Sequence, residues 1–160
     1  MNARDPNCEE ARPRPPAAGP CLALCLALVG CAGGYDSLTA LRNSVDEFHD
    51  GFRWGAMGSM LSHIRPEDQD TFTADYETRM DGVSMADYEV MRLQLADDSE
   101  SADVWVRLAW YRADEMDVHE AVVREHWISA GSTWNRVEVT VERGDLPGGT
   151  DGPPPLTEGP

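Results

Sequence analysis

Apolar positions recur at two different periods along this chain, and the point where the period changes divides it. Leu38, Leu41, Val45, Phe48 and Phe52 follow at helical spacing, one stripe of an amphipathic helix, with Ser37 placed to cap its start. Gly51 and Gly55 loosen the chain before a second, shorter stripe of Trp54, Met57, Leu61 and Ile64 that ends at Arg65-Pro66. Pro66 suits a first helical turn, and Glu67, Asp68 and Asp70 complement the positive end of a helix dipole. A third helix therefore runs through Phe72, Tyr76 and Met80, and Gly82 closes it.

Beyond Gly82 the period drops toward 2. Asp87–Leu95 reads as a strand whose apolar parity slips between Tyr88/Val90 and Met91/Leu93/Leu95, the mark of a bulge or of a strand covered on both faces. Val104, Val106, Leu108 and Trp110 alternate cleanly in a second strand. The third, from Val118 to Ile128, places Val122, His126 and Ile128 on one face and Val123 and Trp127 on the other. In the fourth, Val137, Val139 and Val141 alternate with Glu138, Thr140 and Glu142, giving one wet face. Helices first, then strands joined by short turns, predict an α+β domain: N-terminal helices packed on a curved antiparallel sheet, spanning 36–143. From 144 to 160, ten of 17 residues are Gly or Pro, which predicts a disordered tail.

Residues 1–30 have a different character. The run Cys21-Leu22-Ala23-Leu24-Cys25-Leu26-Ala27-Leu28-Val29-Gly30 is well short of the roughly 20 residues a membrane-spanning helix needs. With Arg12 and Arg14 before it, the run reads as the apolar centre of a signal peptide. The acids Asp5, Glu9 and Glu10 are foreign to such a leader and fit a translation start downstream of Met1. Leu28-Val29-Gly30-Cys31 resembles the bacterial lipoprotein processing box. The resemblance implies that Cys31 receives diacylglycerol, becomes the first residue of the mature chain, and leads through a lipidated linker, 31–35, into the domain. Ala32, where an aspartate is associated with inner-membrane retention, favours the outer membrane and its periplasmic or surface side. Cys8, Cys21 and Cys25 would leave with the leader, so the mature chain has no disulfide and no CxxC zinc site.

The order of elements over residues 36–143 is similar to the nuclear-transport-factor-two-like superfamily, with its polyketide-cyclase-like and ketosteroid-isomerase-like domains. The residues behind the likeness are the long first helix, Trp54-Gly55-Ala56-Met57, Pro66-Glu67, and a four-strand meander rich in Trp and Val. It implies a cone-shaped sheet with a cavity under the helices.

Charge narrows the partners. The net charge is −16, and all 13 basic residues are arginine; such a chain repels phosphate backbones, so no nucleic acid is expected. His49, His63, His119 and His126 form no helical pair of metal ligands, and His119 and His126, seven apart, should point to opposite faces of a regular strand. No metal, cofactor or catalytic residue is assigned. A ketosteroid-isomerase-like reaction needs a carboxylate base near an oxyanion donor; Asp75, Asp87, Glu89 and Tyr88 are the residues to consider, but acids are too abundant for proximity to discriminate. The candidate pocket-lining residues are Phe48, Trp54, Tyr88, Trp110 and Trp127. The expectation is a lipid-anchored envelope protein whose domain acts as a binding or scaffold module, its ligand unknown, with a small apolar molecule or an envelope protein as the candidate partner. The alternative is an isomerase, cyclase or dehydratase acting on a small hydrophobic molecule in the cavity.

Overall fold

A computed structural model describes residues 32–148. Three helices, α1 (Ala32–Trp54), α2 (Met57–Leu61) and α3 (Gln69–Arg79), precede four strands: β1 (Val83–Leu95), β2 (Ser101–Arg112), β3 (Val118–Ala130) and β4 (Thr133–Gly144). The strands form one antiparallel meander in the order β1-β2-β3-β4. The fold is α+β, with helices on one face of an open sheet.

Along α1 the stripe of Leu41, Val45 and Phe48 is fully buried. The helix begins at Ala32, so Ser37 lies inside it rather than at its cap, and the segment expected as a linker enters α1 at Ala32. Gly55, at φ 66°, ends it. Gly51 eases the next turn: a Cβ there would sit 3.0 Å from Ser59 Cβ and 3.1 Å from Met60 Cγ, so a side chain would require α2 to give by a few tenths of an ångström. That break also shifts the phase of the second stripe. Met60 becomes the buried residue of α2, Trp54 is left 74% exposed, and Ile64 is buried beyond the helix end. Pro66 opens a 3-10 turn, Pro66–Asp68, that leads into α3, which buries Phe72.

The sheet carries extra residues on both edge strands. In β1, Met85 opposes Trp110 but Asp87 opposes Ala109, and Val90 opposes Val106 but Arg92 opposes Trp105, so Ala86 and Met91 are additional. The parity slip in β1 is thus a bulge at Met91, which is exposed, while Val83, Tyr88, Val90, Leu93 and Leu95 pack against the core. In β4 the extra residues are Val137 and Glu142. Bulges bend a strand and increase its twist. Both bulged edges bring the sheet to α1, which packs against β1 and β4.

Two further boundaries differ from those read in the sequence. β1 starts at Val83, ahead of Asp87. The chain also stays packed past 143: the Trp110 indole donates to the Asp145 carbonyl at 3.0 Å, Leu146 is half-buried and Pro147 is buried. An apolar pair that covers a cavity mouth holds these residues down despite their composition. The rest of the expected tail, and the leader with Cys31, lie outside the described residues.

Candidate functional site

The inward row of β3 is Ala121, Val123, Glu125 and Trp127, all buried. A carboxylate at 1% exposure in such a row needs partners, because an isolated buried charge is prohibitively costly. Glu125 has three. His49 Nε2 lies 3.1 Å from Oε2, the Trp127 indole N–H donates to the same oxygen at 3.1 Å, and Arg136 Nη1 donates to Oε1 at 3.2 Å. Burial alone would push the Glu125 carboxyl up; the charge and hydrogen bond of His49, then those of Arg136, outweigh it and hold the group at about 2.

Each partner arrives from a different element. His49 follows Phe48 on α1 and is 2% exposed. Its ring stacks on Tyr88 of β1 at 5.2 Å, and its Nδ1 has no hydrogen-bond partner. Arg136 sits on β4, opposite Trp127. Its guanidinium lies 4.3 Å over the Phe48 ring and 5.5 Å from that of Phe72, a cation–π arrangement in a desolvated setting. Burial lowers its pKa and Glu125 raises it, and a guanidinium stays protonated at any ordinary pH. The Arg136 backbone N–H donates to the His63 carbonyl at 2.9 Å, tying β4 to the segment after α2.

Above this cluster lies a cavity of about 70 Å³ between helices and sheet. Its walls are mainly apolar, with Phe52, Phe72, Tyr76, Leu108 and Val139 prominent, and Leu146 and Pro147 contribute from the C-terminal segment. His49, Glu125 and Arg136 supply polar surface, and so do Asp75 and Arg79, which bond to each other at 2.7 Å.

Of the residues singled out in the sequence, Phe48 lines this cavity. Trp127 is fully buried and holds Glu125. Tyr88 stands on the far side of His49 beside a surface groove with Asp46 and Asp50, and its hydroxyl donates to Asp50 at 3.0 Å. Burial, the Asp50 hydrogen bond and the charges of Asp50 and Asp46 push the Tyr88 phenol up to about 12, against the opposing charge of Arg53. Trp110 is buried elsewhere, stacked on His119 at 4.3 Å. Trp54 is away from this cavity, exposed beside an open surface groove with Asp46 and Asp50 and under the Arg53 guanidinium. Of the carboxylates considered as a base, Asp75 reaches the cavity, while Asp87 pairs with Arg53 and Glu89 with Arg107 on exposed strand surface. His126 bonds Asp103 on the outer face, away from His119. Among the described residues no group of three metal-ligating side chains converges, and no helix is long and apolar enough to cross a membrane.

Glu125, His49 and Arg136 were absent from the sequence-derived site. For Glu125 a signal existed: it shares strand parity with Val123 and Trp127. Arg136 carried none, because the Val137-Val139-Val141 alternation assigns position 136 to the wet face. The bulge at Val137 reverses that assignment, so that Arg136 and Val139 both line the cavity.

No family model matches this chain, and no curated protein does. Among solved structures it is similar to a SEC-C motif-containing protein from Rhodopseudomonas palustris, with TM-score 0.51 and 12% identity over 59% of this chain and 73% of that one. The intermembrane-space region of the chloroplast protein ARC6 matches at TM-score 0.46 and 14% identity, over 66% of this chain and 95% of that one. At such identities the first likeness concerns the fold alone.

Proposed function

We propose that this protein is a binding module of the bacterial envelope: a nuclear-transport-factor-two-like domain, tethered by lipid on Cys31, that takes a small apolar molecule between its helices and sheet. The observation that carries the binding reading is the state of the polar groups at the cavity. Asp75 is bonded to Arg79, and Glu125 is engaged by three donors. A carboxylate held at about 2 is a weak base, whereas a general base works best with a pKa near the operating pH. Groups neutralised in this way hold a shape and a polarity rather than move protons, which favours binding over isomerase, cyclase or dehydratase chemistry. The tether reading is supported by the Leu28-Val29-Gly30-Cys31 box and by the loss of every other cysteine with the leader.

Toluene tests the cavity. Saturation-transfer NMR should show it bound to the natural protein and released in Val139→Phe, whose added ring occupies the space, with the fold retained by circular dichroism. Absence of transfer in the natural protein would overturn the binding reading. The tether is tested by Cys31→Ala, which should abolish fatty-acid labelling and leave an unprocessed precursor; unchanged processing would refute it.

A further inference from the structure

One wall of the cavity differs in kind from the rest. Helices α1 and α3 and strands β2, β3 and β4 supply nearly all of it; only Met80 and the pair Leu146 and Pro147 come from outside a helix or strand. Residues 145–147 cross the mouth as a strap. At its start Gly144, with φ 76°, turns the chain out of β4. At its end Gly148, with φ 87°, packs on α3, where a Cβ would lie 3.1 Å from Arg79 Cγ. Between these two left-handed glycines the strap is stiff, because Pro147 fixes its own φ and confines Leu146 to extended conformations. A stiff piece held between two residues that tolerate large changes of φ has the build of a hinged segment.

Its attachment is slight. Among the described residues one hydrogen bond ties the strap to the sheet, from the Trp110 indole N–H to the Asp145 carbonyl at 3.0 Å; Asp145 and Gly148 are exposed, and Leu146 is half-buried. Moving any other wall would break into the core or into the Glu125 cluster with its three donors. Lifting the strap breaks one bond and uncovers two side chains. Segments with so few buried contacts open at free energies far below that of global unfolding. Trp110 keeps its place when the strap lifts, since it is buried, stacked on His119 at 4.3 Å, and paired in β2 with both neighbouring strands.

From this arrangement we infer that residues 145–147 are the gate of the cavity, hinged at Gly144 and Gly148 and latched by the Trp110 indole, and that the apolar ligand enters and leaves only while the strap is lifted. The inference rests on the binding reading above and adds how the site is reached. It gives Trp110 a role although its side chain lines no part of the cavity. The latch sets how often the mouth is open, not how well the closed cavity fits its occupant. Association and dissociation both pass through the open state, so a weaker latch speeds both by the same factor and leaves their ratio, Kd, unchanged. A strap that served only as a cover would act differently: loosening it would speed dissociation alone.

Toluene binding to the full chain in detergent, followed by NMR exchange line shapes, gives both rate constants. Trp110→Phe keeps an aromatic ring against His119 but removes the indole donor. In this variant both rates should rise about fivefold, the weight of one net hydrogen bond on an opening equilibrium, with Kd nearly unchanged. A second measurement needs no variant. The Trp110 indole N–H should exchange with solvent through local opening, at a rate insensitive to low urea, whereas that of Trp127, bonded to Glu125, should exchange only with global unfolding. If Trp110→Phe does not fold, indole exchange decides alone. Unchanged toluene rates in the folded variant, or a rise in dissociation alone, would overturn the gate and leave the binding reading intact. So would a Trp110 indole that exchanges no faster than that of Trp127. Absence of toluene binding in the natural protein would overturn both.

Discussion

At the scale of single residues, the decisive feature is one buried carboxylate and what compensates it. Removing one partner of a buried ion pair leaves an unpaired charge, whereas removing both does not. Arg136→Met should therefore destabilise by about 3–5 kcal/mol, and adding Glu125→Gln should recover much of that loss. Urea denaturation of the two single variants and the double variant measures it. The pH dependence follows from the direction of the Glu125 shift. Its folded-state pKa, about 2, lies below the ordinary 4.5, so its stabilisation is fully present above 4.5 and is lost as the pH falls toward 2. Stability curves between pH 6 and 2 should fall less steeply for Glu125→Gln than for the natural protein. Glu125 was partly legible in the sequence, as a charge between Val123 and Trp127 on an inward row. His49 was not: it neighbours the Leu41-Val45-Phe48 stripe but gains meaning only when β3 lies beneath it.

At the scale of elements, the bulges rather than the strands set the inward faces. A one-residue slip exchanges the two faces of a strand. In β4 the extra residue Val137 separates Trp134 and Arg136 from Val139 and Val141, and all four turn inward although the two pairs differ in parity. Deleting Val137 should force either Arg136 or the Val139-Val141 row to the solvent side. We expect this deletion to lower the thermal midpoint by more than 10 °C or to abolish cooperative unfolding, whereas Val137→Thr, with the residue count kept, should stay within about 0.5 kcal/mol. Differential scanning calorimetry distinguishes them. In β1 the parity slip was visible because both halves of the strand are apolar. In β4 it was hidden, since Arg136 looks like an ordinary surface residue and Val137 like part of the buried row.

At the scale of the whole molecule, the segment after β4 belongs to the domain. Gly144 makes the exit: its φ is 76°, and a Cβ there would run into the Glu120 carbonyl. Asp145 then satisfies the Trp110 indole, and Leu146 with Pro147 covers the cavity. A chain ending at 143 should keep the fold but lose about 1–2 kcal/mol relative to one ending at 148, from burial of a half-buried leucine and a buried proline. It should also bind toluene more weakly. Equal stability of the two chains by urea titration would show that this segment merely rests on the surface.

The sequence by itself determined the class and order of elements, because a hydrophobic period is a local property: 3.6 for α1 and 2 for β2 can be read wherever one face is buried. It also placed Phe48 in the helix stripe and the Val104-Val106-Leu108-Trp110 row on one face of its strand. Only the tertiary structure decided the helix phase after Gly55, the faces beyond each bulge and the meeting of His49, Glu125 and Arg136. Those depend on which strand lies opposite which and on where an unpaired residue is inserted. A polar residue looks the same in sequence whether it faces water or a buried partner 76 positions away.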